Sequence, residues 1–145
     1  MKTIVVGYDA SEPSQRALAR ASSLAGAYDA KLVITSVSPV TGRGVHMVDP
    51  APGPGDIPTE LAHARTYLQD KDVRARYVAA EGEPARMIAS VADEHDADLI
   101  VVGTREANVA ERIRRPSISR AVASDSRRDV LIVHPDQPPR DRRRP

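Results

Sequence analysis

A chain of 145 residues suits one domain with a core large enough to fold alone. It contains no Cys, Phe or Trp and only four Tyr, which excludes disulfides, thiol nucleophiles and thiolate metal sites and leaves an aliphatic core. The net charge of +1 hides an asymmetry, because residues 1–104 carry 10 basic and 14 acidic side chains whereas residues 105–145 carry 11 and 6. A basic half can attract an anionic ligand. It reads first as solvated surface and tail, so nucleic acid is not an expected partner. The N-terminal apolar run is far too short for a secretion signal or a membrane span. A soluble, cytoplasmic protein with no membrane partner is the expectation.

Taken in chain order, "TIVVGY" (3–8) predicts a buried strand. A helix follows, with Ser11 or Asp9 as cap, Pro13 in its first turn, and Ala17, Leu18, Ala21, Leu24, Ala25 and Tyr28 on one face. "KLVITSV" (31–37) is a second strand. Residues 38–58, with five prolines and four glycines, predict a loop. A helix over 59–70 aligns Leu61, Ala64 and Leu68, and a strand over 73–80 comes next. The helix over 83–95 opens on a proline and turns Met87, Ile88, Val91 and Ala92 inward. "DLIVVG" (98–103) is a strand, "SISRAVASD" (117–125) a short helix with Ile118, Ala121 and Val122 inward, and "DVLIVH" (129–134) the last strand. The domain spans 1–135. The Arg/Pro-rich tail, 136–145, has nothing apolar to bury and is expected to be disordered.

Five strands alternating with four helices predict a Rossmann-like α/β fold with one open, mainly parallel sheet and helices on both faces. In such sheets ligands bind past the C-terminal strand ends, where the strand order reverses. Two turns fit that place, Gly7–Asp9 and the one after Gly103. A helix N-terminus offers free N–H groups, Ser117 and Ser119 add hydroxyls, and Gly103 permits a close approach. The same residues also suit a plain N-cap and a tight turn. Asp9 can accept from ribose hydroxyls or cap the first helix. His46, His63, His95 and His134 show no metal spacing, and no Walker loop, GxGxxG or Ser-His-Asp order is present. No catalytic residue and no metal site emerges.

Three stretches, "IVVGYDAS", "EGEPARMIASVADEHDADLIVVGTR" and "SISRAVASDSRRDVLIV", resemble the universal stress proteins over residues 1 to about 135. The resemblance implies the sheet order 3-2-1-4-5 and a fold akin to the adenine nucleotide alpha hydrolases. It also implies a stress-response role, binding of ATP or a related adenosine nucleotide in many members, and Mg only where a triphosphate binds. The family's ATP-binding members carry G-x-x-G-(nine residues)-G-[S/T]. Here Gly103 matches the first glycine, Thr104 and Arg105 are spacers, and Glu106 replaces the second glycine. "ANVAERIRR" is the nine-residue spacer, Pro116 replaces the third glycine and Ser117 matches the hydroxyl position. By the same matching Asp9 takes the ribose position and Val37 the adenine position. The expected nucleotide-binding set is therefore Asp9, Val37, Gly103, Arg105, Ser117 and Ser119, with a degenerate phosphate loop. The family also implies a homodimer through the last strand, at Val130, Leu131, Ile132 and Val133, and protein partners of unknown identity. The alternative is a dimeric interaction or regulatory protein that binds no ATP. Weak ATP hydrolysis stands third, since no base or metal ligand for it is evident.

Overall fold

The structure, a computed structural model, describes residues 1–38, 46–48 by backbone, 58–105 and 118–136. Its elements are β1 (Thr3–Gly7), α1 (Glu12–Tyr28), β2 (Lys31–Ser38), β3 (His46–Val48), α2 (Thr59–Leu68), β4 (Ala75–Glu81), α3 (Pro84–Glu94), β5 (Leu99–Gly103), α4 (Ile118–Asp125) and β6 (Asp129–Val133). The sheet order is β3-β4-β2-β1-β5-β6. Without β3, the other five strands are parallel and reproduce the expected order 3-2-1-4-5. The short β3 pairs antiparallel with β4 inside the stretch read as loop. Three residues between proline- and glycine-rich runs are too few for an alternating pattern to register.

The central strands β1, β2 and β5 are buried on both faces, so they read as continuous apolar runs. Side chains still alternate between faces. Ile4, Val6, Leu32, Ile34 and Val101 meet Ala17, Leu18 and Ala21 of α1 and Leu61, Ala64 and Leu68 of α2. Val5, Val33, Val78, Ile100 and Val102 meet Ile88, Val91 and Ala92 of α3 and Val122 of α4. Two side chains depart from the expected inward faces. Tyr28 is exposed at the last residue of α1, where no further strand length covers it, and Ile118 is half exposed at the start of α4.

Two side-chain clamps hold the ends of this sheet opposite to the site described below. The backbone N–H groups of Lys2 and Thr3 donate to Asp98 Oδ2 at 2.7 and 3.0 Å, which ties the start of β1 to the entry of β5. These two bonds hold the Asp98 carboxyl below the usual carboxylate range. Arg128 donates to Ala97 O at 2.7 Å, Asp96 Oδ1 at 3.0 Å and Asp93 Oδ1 at 3.2 Å, joining the end of α3 to the entry of β6. Among the described residues, no helix is long and apolar enough to cross a membrane.

Candidate functional site

Parallel strands with right-handed crossovers send their C-terminal ends, and the N-termini of the following helices, to one edge of the sheet. A cavity of about 220 Å³ opens there. The ends of β1, β2 and β5 form its floor through Gly7, Thr35, Val37, Val102 and Gly103. Tyr8, Asp9, Ser11, Pro13 and Ser14 from the β1–α1 turn form one wall, and Pro84, Ile88 and Ile118 form the other. The half-exposed Ile118 thus belongs to the cavity mouth rather than to the interior.

The β1–α1 turn is tightly bonded. The backbone N–H and the hydroxyl of Ser11 both donate to Asp9 Oδ1, the former at 2.9 Å. Ser11 caps α1, its Oγ accepting from the backbone N–H of Ser14 at 3.4 Å, so of the two expected caps it is Ser11 that serves. Gln15 Nε2 donates to Ala10 O at 2.9 Å. These bonds hold Ala10 at φ 64°, a left-handed conformation that costs a non-glycine residue about 1 kcal/mol. Burial alone would raise the Asp9 pKa. Hydrogen bonds from Ser11 and Ser14 and the charge of Arg105 outweigh that and hold the carboxyl below its ordinary value. Asp9 is therefore a carboxylate at neutral pH. It retains acceptor capacity beyond its bonds to Ser11, since each oxygen has two lone pairs.

Tyr8 is buried, and both burial and the neighbouring Asp9 charge push its phenol pKa up. Its hydroxyl meets His63 Nδ1, and the two rings stack with centroids 5.9 Å apart. His63 is exposed, yet it anchors the turn beside Asp9 to α2.

Gly103 has a definite reason to be glycine. A Cβ placed there would lie 2.0 Å from the carbonyl oxygen of Pro13 and 2.4 Å from its carbonyl carbon. The missing side chain lets the first turn of α1 rest on the end of β5, which brings the Asp9 turn over the cavity. Thus Gly103 positions the site through packing as well as through access.

The structure brings together Asp9, Val37 and Gly103 of the expected set around one cavity. Arg105 is exposed just beyond β5, near enough for its charge to lower the Asp9 pKa. Ser119 is buried in α4 and is not among the residues lining the cavity. Ser117, Glu106 and Pro116 lie outside the described residues, as do residues 137–145 of the tail. Thr35 was missed by sequence reasoning. It is fully buried, it lines the cavity, and its Oγ1 has no hydrogen-bond partner among the described residues. The available signal was a hydroxyl inside the strand run "LVITSV", two residues before Val37 and so on the same face. Among the described residues, no group of three or more His, Asp or Glu side chains could hold a metal ion.

This arrangement offers an apolar slot, a fixed carboxylate and a helix N-terminus at a point where strand order reverses. Those are parts for binding a small ligand with a flat apolar portion and hydroxyl groups.

The model of the universal stress protein family matches residues 1–134. The universal stress protein Rv1636 of Mycobacterium tuberculosis is 34% identical over 141 residues, covering 92% of this chain and 96% of its own. A universal stress protein of Thermus aquaticus is 31% identical, with 91% and 98% covered. Among solved structures, a universal stress protein in complex with cAMP is 29% identical and superimposes with a TM-score of 0.73, covering 92% of this chain and 97% of that one. With the match running through every element of the sheet and through the cavity that its strand ends enclose, this chain belongs to the universal stress protein family.

Proposed function

We propose that this universal stress protein binds an adenosine nucleotide in the cavity at the ends of β1, β2 and β5, and acts in stress adaptation by binding rather than by catalysis. The observation that carries the reading is the meeting of Asp9, Val37 and Gly103 around that cavity. Val37 offers an apolar surface to the base, and ionised Asp9 accepts from ribose hydroxyls. The relative solved with cAMP supports an adenosine ligand. The phosphate part is the weaker half of the site. Pro116 has no N–H to donate and Glu106 brings a negative charge, so grip on a triphosphate is reduced relative to grip on the nucleoside.

Asp9→Ala is expected to weaken adenosine and ATP alike, by roughly 10- to 100-fold, the effect of losing a charged hydrogen-bond acceptor. Titration calorimetry of both ligands checks this. A variant that loses ATP but keeps adenosine would place Asp9 at the phosphates and contradict the assignment.

A second reading, an interaction protein working as a homodimer, is favoured by β6. This strand sits at one edge of the sheet with Val130, Leu131 and Ile132 only partly buried. An apolar edge strand is a site of strand-to-strand association. We propose a homodimer in which β6 is covered, compatible with either reading. Light scattering is expected to give twice the chain mass at tens of micromolar, near the conditions where modest interfaces persist, and a monomer there sinks the proposal.

A further inference from the structure

The floor of the cavity holds a polar atom that is unpaired among the described residues. Thr35 is 0% exposed, yet its Oγ1 has no hydrogen-bond partner among the described residues. Its carbonyl is already used, accepting from the backbone N–H of Tyr8 at 2.9 Å. Nine or more of every ten buried polar groups in proteins find a partner. Valine would fill the same shape without an unpaired hydroxyl, so packing does not account for threonine here.

Among the described residues the surroundings supply no internal partner. Thr35 pairs in register with Gly7, which has no side chain. Ile88 and Val102 close over that glycine, with atoms 2.8 and 3.3 Å from where its Cβ would be. Val37, on the same face of β2, is apolar. Thr35 is one of the residues that line the cavity.

We propose that the Thr35 hydroxyl hydrogen-bonds the polar edge of the ligand's base and so acts as a specificity-determining residue. This rests on the adenosine reading above. Val37, two residues further along the strand, gives the face of a flat heterocycle an apolar bed. Asp9, two residues beyond Gly7, takes the sugar at the mouth. A ring held between them carries its polar atoms only on its edge, and an edge turned to the floor meets Thr35. A hydroxyl both donates and accepts, so it serves a ring nitrogen or an exocyclic amine equally. A ligand with an apolar edge would bury Oγ1 without relief and be rejected.

The test is calorimetry of wild type, Thr35→Val and Thr35→Ser with adenosine and with purine riboside, which lacks the amine. Thr35→Val keeps the shape and removes the hydroxyl. It is expected to weaken adenosine by about three- to tenfold, the range for one neutral hydrogen bond, and Thr35→Ser is expected to bind as wild type does. An equal loss on purine riboside assigns the contact to a ring nitrogen. A loss confined to adenosine assigns it to the amine. Equal binding by wild type and Thr35→Val overturns the Thr35 assignment and leaves the nucleoside reading standing. No binding by wild type overturns both. Independently of any variant, nuclear Overhauser contacts from the Thr35 methyl group to base protons are expected in the wild-type adenosine complex. Contacts to ribose protons alone overturn the assignment.

Discussion

Replacing Gly103 by alanine is expected to destabilise the protein by about 3 kcal/mol, at the upper end of overpacking costs. The new methyl would sit 2.0 Å from the Pro13 carbonyl oxygen, and that neighbour is backbone. No rotamer change relieves such a contact. Either the first turn of α1 lifts off β5 or the end of β5 bends. At about 2–4 °C per kcal/mol for a domain near this size, the melting temperature falls by roughly 6–12 °C. Lifting α1 also moves Ser11 and Asp9 away from Val37, so adenosine binding weakens with stability. Gly7 provides the contrast within the same cavity. A methyl there meets Ile88 Cδ1 at 2.8 Å, the far end of a flexible side chain. Gly7→Ala therefore costs about 1 kcal/mol, at the low end for added bulk. Thermal melts of both variants decide the matter. A Gly103→Ala protein melting within a degree or two of wild type would remove the packing argument.

The second large effect concerns the phosphate loop. Restoring glycine at both Glu106 and Pro116 is expected to tighten ATP binding by on the order of a hundredfold and leave adenosine unchanged. Two terms combine. A carboxylate about 5 Å from a phosphate, at an effective dielectric near 20, costs roughly 3 kcal/mol. A regained N–H toward a charged oxygen contributes about 1.5–3 kcal/mol. Arg105, Arg112, Arg114 and Arg115 lie in the same stretch of sequence and are expected to offset part of the repulsion, so the observed gain should fall well below the sum. Calorimetry with ATP and adenosine on wild type and double variant separates the terms. Tightening of both ligands equally would show that the loop acts on the nucleoside, and no change in either would show that the loop does not approach the ligand.

Most of the architecture was legible because the strands are short, apolar and rich in valine and isoleucine, while the helices repeat Ala and Leu at helical spacing. Boundaries differed by a residue or two, as at the strand read over 73–80, which runs Ala75–Glu81. The errors have physical causes. Tyr28 and Ile118 fit an apolar stripe by spacing, but each stands at a helix end, where the sheet no longer covers the stripe. Strand β3 owes its form to pairing with β4 rather than to any pattern of its own. For the site, Asp9 and Gly103 were readable from their place after strands. The role of Gly103 in seating Pro13 was not, because it depends on a contact between residues 90 apart in the chain. Thr35 was hidden for a similar reason. A threonine suits a strand on propensity alone, and only the three-dimensional packing reveals that its hydroxyl has no partner among the described residues.

The claim that an adenosine ligand occupies this cavity is tested most directly by amide chemical shifts of the isotope-labelled protein as adenosine is added to millimolar concentration. The account predicts shifts concentrated at Gly7 to Ser11, at Thr35 to Val37 and at Gly103, all moving along one saturating curve. Shifts confined to β6, or none anywhere, would contradict it.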